Sequence, residues 1–281
     1  MINLLKKVHI HPIFWLIIAM GVITGRFKEV VMLLFIVLVH EMGHVWMAHR
    51  FGWKILKIEL LPFGGAAVLE PRGIRPAREE CFIVLWGPVQ HIWMIAMSYG
   101  LYHFTDIWLY QDHQLFVSHN IAILLFNLIP IHPLDGGRLI QLAFYKWFPY
   151  KQAIKLSLVT SCMFLFSGFL FVAFYAMQLN LIMIFSFLLL TLVLEFKQRE
   201  YRFIRFLMAK KDDDTSNHPV PIFVEKQATI KTVVEKIKKN ALHTVVIKDG
   251  INQTTFSLQA LLDVYFREGG HVPVHTIPKS E

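Results

Sequence analysis

The chain has 281 residues, 55% hydrophobic and only 17% charged, where soluble domains average roughly 25% charged. That balance excludes an ordinary soluble globular protein. The net charge of +8 does not indicate a nucleic-acid binder, because the basic residues gather where apolar segments end and no nucleic-acid motif is present.

In chain order, Lys6 and Lys7 precede an apolar run with no small-residue cleavage site, which predicts an uncleaved first span. Apolar segments follow at Pro12–Thr24, Val30–Ala48, Cys81–Phe104, Leu115–Ile131, Leu156–Met177 and Leu181–Leu194, predicting about six transmembrane helices. The first and last fall short of the roughly 17–25 residues that cross a bilayer. Between the second and third, Lys54–Glu70 alternates in hydropathy and contains Pro62-Phe63-Gly64-Gly65, the pattern of a β-hairpin or re-entrant loop. Cys81 and Cys162 both lie in apolar segments and form no disulfide framework.

Loop charge sets the expected orientation. Tyr102–Gln114 carries Asp106 and Asp112 and no Lys or Arg, whereas Arg50–Arg78, Arg138–Lys151 and Lys197–Lys211 are basic. The positive-inside rule puts the basic loops and both termini in the cytoplasm, with Arg26 and Lys28 against the trend. Residues 1–195 form the expected membrane domain. Residues 196–217 form a basic amphipathic linker, either an interfacial helix or the last span leaving the membrane. Residues 218–281 read as a small α/β domain in the order strand, helix, strand, strand, helix. Thr229 is placed to cap its first helix, and Ile230, Val233, Val234 and Ile237 share one face.

The chemistry is concentrated in the second span. His40 and His44 are four apart and project from one helix face, a spacing at which two imidazoles bind one Zn2+. Glu41 beside them is placed to take a proton from an attacking water. An ionisable group at mid-membrane costs about 2.5–3.5 kcal/mol, so three within five residues need a compensating partner, and a divalent cation is one. A third ligand is expected where the fourth span ends, in Asn127-Leu128-Ile129-Pro130-Ile131-His132-Pro133-Leu134-Asp135-Gly136-Gly137. Asp135 is the only carboxylate there; His132 is the alternative. His91 and His119 read as ordinary polar contacts. A transporter would need polar residues through both leaflets, and a soluble zinc domain would lack the apolar flanks of His40.

These motifs resemble the site-2 protease family of intramembrane metalloproteases, which pairs an H-E-x-x-H helix with a span reading N-x-x-P-x-x-x-L-D-G. Asn127, Pro130, Leu134, Asp135 and Gly136 match the second pattern. The resemblance implies one Zn2+ on His40, His44 and Asp135, Glu41 as catalytic base, and Asn127 in substrate or oxyanion binding. It implies a structural role for Gly87-Pro88. The loop of Phe63, Gly64 and Gly65 would hold an unwound substrate as an added strand or pack over the site. Within the family, the loop, the six spans and a single C-terminal cystathionine-β-synthase-like (CBS) domain are similar to the members that release sigma-K from membrane-bound pro-sigma-K during sporulation. From that likeness follow a membrane-associated protein substrate, membrane inhibitor proteins, and a site in the mother-cell membrane around the forespore. A single CBS-like unit implies pairing between protomers around an adenine nucleotide such as ATP, or an incomplete site; the alternative is a docking platform with no ligand.

Overall fold

The computed structural model describes residues 8–10, 18–19, 21–53, 55–61, 64–69, 75–175, 178–211, 220–249 and 252–276. The chain divides into two compact units, one of residues 1–71, 78–129 and 134–136, the other of residues 72–77, 130–133 and 137–281.

Among the described residues, the first unit holds three long helices and a small sheet. Helix α1 (Phe27–Arg50) has Glu29 in its first turn and His49 and Arg50 in its last, charges that suit the helix dipole. Helix α2 (Ala77–Phe104) runs through Pro88, and α3 spans Tyr110–Asn127. Helix α3 starts before the expected Leu115 and stops at Asn127, ahead of Pro130, whose ring disfavours helical backbone at the preceding residue. Met32, Ile36, Met94 and Phe116 pack into one apolar cluster of these helices. Lys28, which ran against the charge rule, is paired with Asp112 in the first turn of α3, and Arg26 lies 3.8 Å from Glu29.

The expected hairpin is present as β2 (Ile55–Leu61) and β3 (Gly64–Leu69), antiparallel, with Leu61 opposite Gly64. A strand that the sequence did not announce, β1 (Val8–Ile10), pairs in parallel with β2. The order β1-β2-β3 makes β2 central. The hairpin edge along β2 is therefore taken, and β3 is the outer strand among the described residues.

The second unit holds most of α4 (Asp135–Trp147), with α5 (Tyr150–Tyr175) and α6 (Leu179–Lys211). Helix α4 occupies what read as a basic loop; Leu142 and Tyr145 are buried on it while Arg138 and Lys146 stay exposed. Helix α6 is continuous for 33 residues, about 50 Å at 1.5 Å per residue. The short last span and the basic stretch after it are thus one helix, long enough to cross a bilayer and project beyond it. Among the described residues, four helices are long and apolar enough to cross a membrane: Phe27–Arg50, Ala77–Phe104, Tyr150–Phe174 and Leu181–Lys211. Most of the expected first span lies outside the described residues, and α3 is not in this set.

The C-terminal domain follows the expected order: β4 (Val220–Glu225), α7 (Ile230–Val234), β5 (His243–Asp249), β6 (Asn252–Ser257) and α8 (Leu258–Glu268). Strand β4 is parallel to β5, and β5 antiparallel to β6. Ile230, Val233, Val234 and Ile237 are buried together, as their spacing predicts. Thr229 stands at the N-cap of α7, but its side chain makes no capping hydrogen bond. Phe203, Phe206 and Leu207 of α6 belong to the same apolar core. Tyr150 stacks on Phe206 with ring centroids 3.8 Å apart, and Lys151 lies 3.1 Å from Glu235. Of the expected linker, residues 196–211 belong to α6 and residues 212–217 lie outside the described residues.

Candidate metal centre

Helices α1 and α2 approach closely because two of the facing residues are glycines. A Cβ on Gly43 would stand 2.8 Å from the Trp86 carbonyl oxygen. A Cβ on Gly87 would stand 2.2 Å from Nε2 of His44 and 2.9 Å from Cε1 of His40. The space a side chain would fill at position 87 is taken by the imidazole of His44. Gly136 likewise admits no Cβ, which would fall 2.2 Å from the Leu128 carbonyl oxygen. Its bare backbone lets the start of α4, and with it Asp135, sit against the end of α3.

These approaches bring three ligand atoms together. Nε2 of His40 and Nε2 of His44 are 3.1 Å apart, and each lies 3.2 Å from Oδ2 of Asp135. Two ligands of a tetrahedral ion at about 2.0 Å stand roughly 3.3 Å from each other, close to the observed spacing. His40 and Asp135 are 2% and 6% exposed. His132 is not part of this group. It is buried, its Nε2 has no hydrogen-bond partner, and its backbone N–H donates to Oγ of Ser161.

The far sides of the two rings decide what the near sides present. Nδ1 of His44 is 2.8 Å from the Ile83 carbonyl oxygen, which can only accept, so Nδ1 carries the proton and neutral His44 has a bare Nε2. Nδ1 of His40 is 3.1 Å from Nε2 of His91. Nδ1 of His91 is in turn 3.0 Å from Oδ1 of Asn120. Oδ2 of Asp135 is buried and receives no hydrogen bond despite the two nitrogens beside it. Acceptor lone pairs converging out of reach of water repel unless a cation joins them. Two nitrogens and one oxygen are the protein's share of the donor set of a catalytic zinc, so the residues present fit that ion.

Glu41 follows His40 directly on α1 and is partly buried. Asn127 ends α3, with its side-chain amide donating to the Ile123 carbonyl at 3.1 Å. Gly64 and Gly65 begin β3; Phe63 lies outside the described residues. His119 donates within its own helix to Leu115 at 2.6 Å, the ordinary contact expected of it. His91 makes its polar contacts between helices, standing between His40 and a buried Asn120. Neither His91 nor Asn120 belongs to a spacing pattern that sequence could reveal. The Gly87-Pro88 pair did offer a signal, but not which ring fills the gap.

The profile of Peptidase family M50 matches residues 28–111. Stage IV sporulation protein FB of Bacillus subtilis is 35% identical over 276 residues, covering 95% of this chain and 94% of that protein. A zinc metalloprotease of Methanocaldococcus jannaschii is 30% identical over 158 residues, covering 54% of this chain and 46% of that one. The solved structure of a site-2 protease from Methanocaldococcus jannaschii superposes with a TM-score of 0.53 at 27% identity, over 67% of this chain and 89% of that one.

Proposed function

The chain belongs to peptidase family M50, the site-2 type of intramembrane zinc metalloprotease, and on that premise we propose that it cuts a membrane-associated protein at a centre made by His40, His44, Asp135 and Glu41. The observation that carries this reading is the convergence of the three ligand atoms within 4.8 Å of one another, with a carboxylate one residue away. Zinc held there supplies a Lewis acid that makes water nucleophilic near neutral pH and polarises the scissile carbonyl. Glu41 accepts the proton of the attacking water and delivers it to the leaving amine. Asn127 orients the substrate backbone from the end of α3. Strand β3, with Gly64 and Gly65, takes the unwound substrate as an added strand, which its outer position in the sheet supports.

The substrate we favour is pro-sigma-K, cut near the cytoplasmic face in the mother-cell membrane around the forespore. The likeness to Stage IV sporulation protein FB along nearly the whole chain supports it. The ion pair of Lys28 with Asp112 supports cytoplasmic termini, since it offsets the charge that opposed them. A cysteine at position 112 should then label from outside. The β-α-β-β-α order of the C-terminal domain supports a CBS-like unit that pairs with a second copy and takes ATP. Calorimetric titration of the full chain with ATP tests this, and no heat would leave the domain a docking platform.

The deciding experiment is Glu41→Gln in purified, reconstituted protein. It should keep its zinc and lose about 100-fold or more of its cleavage, the scale of a lost general base. Substantial turnover in that variant would refute the assignment.

A further inference from the structure

We propose that His91 and Asn120 are positioning residues that lock His40 as the Nδ1–H tautomer and so aim its Nε2 lone pair at the metal. The inference rests on the zinc reading above and goes beyond it, to two side chains that touch neither ion nor substrate.

A chain of hydrogen bonds with one fixed end sets the tautomer. The Phe116 carbonyl oxygen accepts from Nδ2 of Asn120 at 2.8 Å. A carbonyl cannot donate, so the amide cannot be turned round without setting two acceptors against each other. Oδ1 of Asn120 must therefore face His91, 3.0 Å away, and Nδ1 of His91 must carry the hydrogen. Neutral His91 then has a bare Nε2, which accepts from Nδ1–H of His40 at 3.1 Å. His40 is left with its lone pair on Nε2, on the side of His44 and Asp135. His91 and Asn120 are both 0% exposed, so water does not compete for these bonds. The two ligand rings are thus anchored by the same kind of group. His44 reaches a helix carbonyl directly, and His40 reaches one through two intervening side chains. Turning the relay round would put a proton on Nε2 of His40 and remove it as a ligand.

The test measures zinc affinity of the full chain in detergent by competition with a chelating dye. Removing such an outer partner typically weakens a metal site about 10–100-fold, and His91→Phe and Asn120→Leu should both do so. His91→Gln offers an acceptor and a donor in place of the two ring nitrogens, and Asn120→Asp keeps the acceptor. Both should restore affinity to within a few-fold of wild type, while melting of the zinc-free proteins reports packing separately. Unchanged affinity in Asn120→Leu and His91→Phe would overturn the proposal. So would equal losses in the Gln and Asp variants, since shape alone would then matter. A wild-type chain that takes up no zinc would sink the metal reading itself.

Discussion

Around His40 the buried polar residues are His91, Asn120 and Asp135, with His44 at their edge; in the C-terminal domain, among the described residues, they are Lys239 and His243. The first set is focused, with lone pairs turned toward one point and partners supplied by neighbouring helices. The second is dispersed. Lys239 places its ammonium 4.8 Å from the Tyr145 ring centroid, and His243 joins two stretches of backbone. Buried polar groups in membrane helices are costly enough that they mark function. In the small C-terminal α/β domain the same groups chiefly close hydrogen bonds left by the fold. The difference between the two regions is whether a buried polar atom lacks a partner within the protein.

The largest effect is expected from removing a converging atom. Asp135→Ala should lose zinc and essentially all cleavage. His132→Ala should keep its zinc, because the buried His132 stands outside the cluster. Zinc content by atomic absorption of the purified variants decides it. Retained zinc in Asp135→Ala with loss in His132→Ala would move the third ligand to His132.

Much of this was legible in the sequence. Two histidines four apart in an otherwise uncharged run leave few alternatives, and the Asp-Gly-Gly at a proline-broken helix end pointed to the carboxylate that joins them. The order of elements in the C-terminal domain could be read from alternation and from the shared face of Ile230, Val233, Val234 and Ile237. Strand β1 was not legible, because three residues carry too little pattern and their partner lies some fifty positions on. Helix α4 was missed because Arg138 and Lys146 lie on its exposed side and masked the apolar side. The relay through His91 and Asn120 depends on two helices meeting at one depth, which no spacing within either helix records.

A smaller effect is expected where the site depends on room and not on a ligand. Gly87→Ala should displace His44, since the new methyl would overlap its ring, and should weaken zinc about tenfold or more, the scale of a disturbed metal shell. Gly100→Ala on the same helix meets nothing within 4 Å and should leave affinity unchanged. Equal affinity in both variants would mean that the packing of α1 on α2 does not set the ligand geometry.

The smallest effect belongs to the dispersed region. His243 accepts from the Lys238 backbone N–H at Nε2, 3.0 Å away, and donates from Nδ1 to the Val220 carbonyl at 3.2 Å. Both nitrogens are satisfied only in the neutral ring. Burial holds its pKa below the ordinary histidine value, with the charges of Lys210 and Lys238 acting the same way. The unfolded chain, with a pKa near 6.5, then binds the proton more readily than the folded one, so stability rises with pH through this window. The contribution is complete above about pH 6.5 and is lost as pH falls toward the folded pKa, with a slope of at most about 1.4 kcal/mol per unit for one proton. Hydrogen-exchange protection of β5 measured across this range should fall with acidification in the wild type and flatten in His243→Gln. Protection that is flat in the wild type, or that falls equally in the variant, would show that another group carries the acid sensitivity.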